Sequence, residues 1–170
     1  MDLAADIDSR CRLTGSFTLR SGRVATEYFD KYLFESDPRL LRRVAEAMVP
    51  LLPHDCDLLG GLELGGVPIA TVLGQLTGTS VLFIRKEAKA YGTCRLAEGS
   101  DVADRRIVLV EDVVTTGGAV RDAAAALRER GATVSVVVCA INRGEQQPLA
   151  DTGIETRAVL TRADLDRARG

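Results

Sequence analysis

The sequence predicts an α/β protein, a doubly wound parallel sheet flanked by helices. Two observations carry this. After Asp57 the chain alternates short apolar runs with helix-length segments: a run at 58–62, a helix at 68–76, strands at 80–85 and 107–110, a helix at 119–130 and a strand at 134–141. Runs such as Ile107-Val-Leu-Val110 are also apolar at every position, as strands buried on both faces are.

The elements follow in order. Residues 2–14 are expected to form a short helix. Between 17 and 34, stretches rich in Thr, Val, Tyr and Phe flank Ser21-Gly22-Arg23, which predicts a small antiparallel ribbon. Asp37-Pro38 starts a helix, with proline in its first turn and Leu40, Leu41, Val44, Ala47, Met48 and Leu51 at helical spacing. Gly65-Gly66 leads into the helix at 68–76. The Ala-rich helix at 119–130 is closed by Gly131, a good C-cap residue.

The chain has 170 residues, 46% of them hydrophobic, with 22 Lys+Arg against 24 Asp+Glu. That length suits one domain, 1–170, with a core that needs no disulfide or structural metal. A net charge of −2 argues against a general nucleic-acid binder, which is normally basic. No apolar run approaches the roughly 18–20 residues of a membrane span. The opening Met1-Asp-Leu-Ala-Ala-Asp-Ile-Asp8 lacks the layout of a signal peptide, so a cytoplasmic protein is expected. Cys11, Cys56, Cys94 and Cys139 are too widely spaced for a metal cage, and His54 sits in a polar loop.

The chemistry concentrates in Ile107-Val-Leu-Val-Glu-Asp-Val-Val-Thr-Thr-Gly-Gly-Ala119. An apolar strand ends in adjacent carboxylates, Glu111 and Asp112, and Thr115-Thr116-Gly117-Gly118 then leads into a helix. Ligands of open α/β sheets bind at the carboxyl ends of strands. Glycines let backbone N–H groups converge on a phosphate at a helix N-terminus, and threonine hydroxyls add donors. Paired acids accept from neighbouring sugar hydroxyls, so a sugar phosphate fits the whole stretch. Walker-type and dinucleotide-binding glycine patterns are absent from the sequence.

This stretch resembles the 5-phosphoribosyl-1-diphosphate (PRPP) signature of type I phosphoribosyltransferases. Within them the chain is most similar to the orotate phosphoribosyltransferase family. Phe17-Thr-Leu-Arg-Ser-Gly-Arg23 with Tyr28-Phe29 resembles that family's N-terminal hood, here about 1–35, above a core of about 36–170. Arg85-Lys86-Glu-Ala-Lys89-Ala-Tyr-Gly92 resembles its basic catalytic loop, and Asn142-Arg143 matches the place of an orotate-binding arginine. Two departures stand out. Tyr91 occupies a position where the family commonly has histidine, and Gly61-Leu-Glu-Leu-Gly-Gly66 lacks a lysine often found in the pyrophosphate loop.

The resemblance implies transfer of a phosphoribosyl group from PRPP to orotate, giving orotidine 5′-monophosphate and pyrophosphate. It assigns catalysis to Lys89, Lys86, Arg85 and Tyr91. PRPP falls to Glu111, Asp112, Val113, Val114, Thr115, Thr116, Gly117, Gly118 and Ala119, and orotate to Arg20, Tyr28, Phe29, Thr115 and Arg143. Mg²⁺ is expected to be held mainly by PRPP and water, without a protein metal site. A homodimer with shared active sites is implied, and neither nucleic acid nor membrane is an expected partner. The alternatives are transfer to another nucleobase, or a PRPP-sensing regulator with the same fold.

Overall fold

The computed structural model describes residues 2–19, 21–87 and 96–169. The chain opens with α1 (Leu3–Cys11), capped by Asp2, whose carboxylate accepts from the amide of Ala4 at 3.0 Å. This helix ends earlier than expected because residues 12–14 are drawn into a ladder. β1 (Arg12–Thr18) and β2 (Val24–Phe29) pair antiparallel, with Arg12 opposite Phe29 and Leu13 opposite Tyr28. Gly22, at φ +82°, makes the turn between them as the sequence predicts.

The ribbon also stops sooner than 34. The Asp30 carboxylate accepts from the amide of Tyr32 at 3.1 Å and starts a single helical turn, α2 (Tyr32–Glu35). In α3 (Pro38–Met48), Asp37 is the N-cap and accepts from the amides of Arg39 and Leu40 at 2.9 and 3.2 Å. Leu40, Val44, Ala45 and Met48 form its buried face, and Leu51 falls in a short 3-10 turn beyond it.

The remaining elements are β3 (Leu58–Leu62), α4 (Gly66–Thr77), β4 (Ser80–Ile84), β5 (Ala97–Glu98), β6 (Arg106–Val114), α5 (Gly118–Arg128), β7 (Thr133–Asn142), β8 (Glu155–Thr161) and α6 (Arg162–Arg167). Among the described residues six strands form one sheet in the order β5-β4-β3-β6-β7-β8. All neighbours run parallel except β4 and β5.

The continuously apolar strands are explained by two cores. Val108, Val110, Val136, Val138 and Ala140 join Leu59 under α1, α3 and α4. Their neighbours Ile107, Leu109, Val137 and Cys139 pack on the opposite face against Val120, Ala123, Ala124 and Leu127 of α5. Side chains alternate across a strand, so a strand between two apolar layers needs apolar residues at every position.

Three elements escape the sequence reading. The two-residue β5 is too short to leave a pattern. β8 has Arg157 at its centre, with its guanidinium donating to the carbonyl of Leu51 at 2.8 Å. α6 had a local signal in Thr161-x-x-Asp164, which forms a capping box.

Candidate active site

The carboxyl ends of β3, β4, β6 and β7 bring the predicted residues together. The loop from β6 to α5 is held by Gly117, at φ +75°, where a Cβ would also approach Leu149 Cδ2 at 2.5 Å. Glycine offers no side-chain cap, so the first N–H groups of α5 keep their donors for a ligand. Val113, Val114, Thr115, Thr116, Gly117, Gly118 and Ala119 line a cavity of about 200 Å³ together with Glu111. Its size, hydroxyls and helix terminus suit a phosphate group.

A second cavity, of about 740 Å³, shares Glu111, Val113, Thr115, Gly118 and Ala119 with the first. Asp112, Arg85, Lys86 and Lys31 also line it. Glu63 accepts from the amide of Lys86 at 2.9 Å, which pins the start of the basic loop to the loop after β3. Arg85 is half-buried, with its Nε 3.5 Å from Glu98. Lys89 and Tyr91, the other two residues expected to act in catalysis, lie outside the described residues, as does Arg20 of the hood.

The acid pair does not sit at a solvent-facing strand end: Asp112 is fully buried and Glu111 nearly so. The amide of Val113 donates to Asp112 Oδ1 at 2.5 Å, and the Lys31 ammonium lies 2.5 Å from Asp112 Oδ2. The amide of Asp112 in turn donates to Glu111 Oε1 at 3.0 Å. Glu35, also buried, completes a cluster of three carboxyls and one ammonium.

The cluster divides its charge unevenly. Burial, reinforced by Asp112, pushes the Glu111 carboxyl up to about 9 and that of Glu35 up to about 8. Burial also opposes ionisation of Asp112, but hydrogen bonds with Glu111, Lys31 and Glu35 outweigh it and hold its carboxyl below the ordinary range. Lys31 follows the same balance with the opposite sign: burial disfavours its charge, Asp112 more than restores it, and its pKa is raised. The sequence reading missed Lys31 and Glu35, because neither lies in a motif and both reach Asp112 only through the tertiary fold.

At the other end of the site, the amide of Arg143 donates to the carbonyl of Val114 at 2.8 Å. A Cβ on the next residue, Gly144, would overlap the carbonyl of Thr115. Arg143 thus stands beside the phosphate loop, its guanidinium 5.3 Å from the centre of the Phe29 ring. It makes no ion pair with a described residue, and burial, together with Arg162 and Arg12, lowers its pKa. An exposed guanidinium set on an aromatic face, with no ion pair to a described residue, is poised for an anionic ligand. Tyr28 does not join this group; adjacent strand residues face opposite ways, and its ring packs on Phe17 with centroids 5.6 Å apart.

Known proteins show the same organisation. A family profile described as "Phosphoribosyl transferase domain" matches residues 38–156. An orotate phosphoribosyltransferase of Nocardioides sp. is 69% identical over 169 residues, covering 98% of this chain and 94% of its own. The crystal structure of Mycobacterium tuberculosis H37Rv orotate phosphoribosyltransferase in complex with Fe(III) dicitrate superposes with a TM-score of 0.86 at 34% identity, covering 96% of both chains. The same mycobacterial enzyme in complex with PRPP gives a TM-score of 0.80 at 30% identity, again over 96% of both chains. By its sequence and its fold, the chain belongs to the orotate phosphoribosyltransferase family.

Proposed function

We propose that this protein transfers the 5-phosphoribosyl group of PRPP to N1 of orotate, releasing pyrophosphate and forming orotidine 5′-monophosphate. The observation that carries this is the continuity of the site. A phosphate-sized cradle opens into a larger cleft lined by acids and bases, and an arginine with no ion pair to a described residue flanks the cradle.

The residues divide the work as follows. The N–H groups of Gly118 and Ala119 and the hydroxyls of Thr115 and Thr116 hold the 5-phosphate. Glu111 and Asp112 face the ribose hydroxyls and fix the ring. The orotate carboxylate meets Arg143, and the base lies against Phe29 near Thr115, with Arg20 and Tyr28 completing the hood. As the bond from ribosyl C1 to pyrophosphate breaks, its electron pair leaves with pyrophosphate, C1 gains oxocarbenium character, and N1 forms the new bond as its proton passes to the departing pyrophosphate. Lys89, Lys86 and Arg85 stabilise the charge that accumulates on pyrophosphate, and Tyr91 offers a neutral hydroxyl donor.

The carboxylates of Glu63 and Asp122 also line the larger cleft, and such hard oxygen groups suit Mg²⁺. Glu63 and Asp122 would help hold the ion beside PRPP, where it would supply positive charge to offset that of the leaving pyrophosphate. Hood and core work as one unit, and two copies of the chain form a homodimer in which each lends its Lys89 loop to the other. No helix among the described residues is long and apolar enough to cross a membrane, and we place the enzyme in the cytoplasm.

A panel of nucleobases with PRPP and Mg²⁺, read by pyrophosphate release, tests this. Release that depends on orotate, and is not matched by uracil, adenine or hypoxanthine, is the expected result. Release with another base, or none from folded protein, would reject it.

A further inference from the structure

The cluster around Asp112 contains one carboxyl that the reaction does not use. Glu35 closes α2, at the boundary of hood and core, and its Oε1 is buried with no hydrogen-bond donor among the described residues. Asp112 Oδ2 is equally inaccessible to solvent. Both oxygens crowd the same point: a Cβ on Gly65 would overlap Asp112 Oδ2 and come within 2.7 Å of Glu35 Oε1. Two carboxylate oxygens facing each other out of water repel strongly unless a proton lies between them.

We propose that Glu35 is a positioning residue, holding in the free enzyme a proton that it donates to Asp112 and so fixing that carboxylate for PRPP. The surroundings favour this arrangement over two ionised acids. Glu35 is faced by Asp112 of β6, by Lys31 and Asp30 just before α2, and by Cys11 at the end of α1, while Glu111 meets the same Asp112 and Lys31. The loop before α4 brings the backbone of Gly65 against both oxygens, and its one acid, Glu63, accepts instead from the amide of Lys86. Among the described residues Lys31 is the one cation in the group, and it is committed to Asp112 at 2.5 Å. One ammonium balances one carboxylate, which leaves Glu35 to stay neutral and donate.

The proton has a kinetic consequence. When Glu35 ionises, a second negative charge faces Asp112 and pushes it from its place. In wild type, kcat/KM for PRPP, which reports the free enzyme, should fall as pH rises through about 8. Glu35→Gln supplies a permanent neutral donor, so at pH 7 it should remain close to wild type, and this alkaline limb should disappear. Glu35→Ala offers no donor at any pH, and should raise KM for PRPP by about 10- to 100-fold with a smaller change in kcat. A merely structural glutamate would give no such split between Gln and Ala.

The inference deepens the proposed transfer reaction, so one arm is independent of activity. Infrared spectra of the wild-type chain at pH 7 should contain the C=O band of a buried protonated carboxyl. Part of that band should titrate away near pH 8, and that part should be missing in Glu35→Gln. If wild type shows no orotate-dependent pyrophosphate release, the functional reading fails while the infrared band still decides where the proton is. The proposal is overturned if wild type lacks the band at pH 7, if Glu35→Gln keeps the wild-type alkaline limb, or if Gln impairs PRPP use as much as Ala.

Discussion

The guanidinium of Arg143 lies 5.3 Å from the centre of the Phe29 ring, so a residue of the core and one of the hood face each other across the mouth of the site. Arg143→Ala should lower kcat/KM for orotate by about 10- to 100-fold, the loss of a charge-assisted hydrogen bond. PRPP affinity should change little. Arg143→Lys should recover only part, because an ammonium cannot pair bidentately with a carboxylate or stack on the ring. Steady-state kinetics varying each substrate in turn checks this, and an effect confined to PRPP would contradict it.

Burial alters what is expected of Asp112. An acid at a wet strand end could be neutralised at little cost to the fold, but here Asp112→Asn leaves a half-buried Lys31 without its counter-ion. Stability should drop by about 1–3 kcal/mol, and KM for PRPP should rise. Urea unfolding gives the first quantity, and Lys31→Met in the same background should recover part of it. An Asp112→Asn protein as stable as wild type would show that the ion pair contributes nothing.

Lys89 is assigned to the leaving pyrophosphate. Lys89→Ala should therefore reduce turnover by about 10²- to 10³-fold while weakening PRPP binding much less. Mixing Lys89→Ala subunits with Glu111→Gln, Asp112→Asn subunits should restore activity, because one site of the mixed dimer has both an intact lysine and intact acids. With subunit exchange shown by differently tagged chains, no recovery would reject the shared site.

The buried acids also set a pH dependence of stability. Glu35 and Glu111 ionise near their ordinary 4.5 when the chain is unfolded, but keep their protons to about 8 and about 9 when it is folded. Between these limits the folded state binds more protons than the unfolded one, so stability falls as pH rises through this window. Asp112 acts in the opposite sense, but only as pH falls toward and below its ordinary 3.8. Glu35→Gln should make the decline shallower. Urea midpoints measured across this range check it, and an unchanged slope would count against a neutral Glu35.

What could be read from the sequence was local. The strand–acid–acid–Thr-Thr-Gly-Gly–helix passage, the Asp37 cap and the Gly22 turn depend on near neighbours, and each formed where its residues predicted. The end of the first helix was misjudged because the ladder with β2, not helix propensity, decides where residues 12–14 go. β8 was missed because Arg157 interrupts its pattern, and its partner carbonyl on Leu51 is far away in the chain. Lys31 and Glu35 were missed for a related reason. Nothing next to them in sequence shows that the fold will carry them to Asp112.

The alternation of β6 between two cores changes phase at the acid pair. From Ile107 to Val110 odd-numbered residues face α5 and even-numbered ones face α4, whereas Val113 packs with the α4 side and Val114 with the α5 side, so the alternation shifts across Glu111 and Asp112. Glu111 borders the phosphate cradle, whereas Asp112 meets Lys31 and Glu35. The two acids thus meet different neighbours, although both line the larger cleft. Exchanging them, as Glu111→Asp with Asp112→Glu, conserves charge and composition yet puts the longer side chain where Gly65 leaves no room and the shorter one where reach is needed.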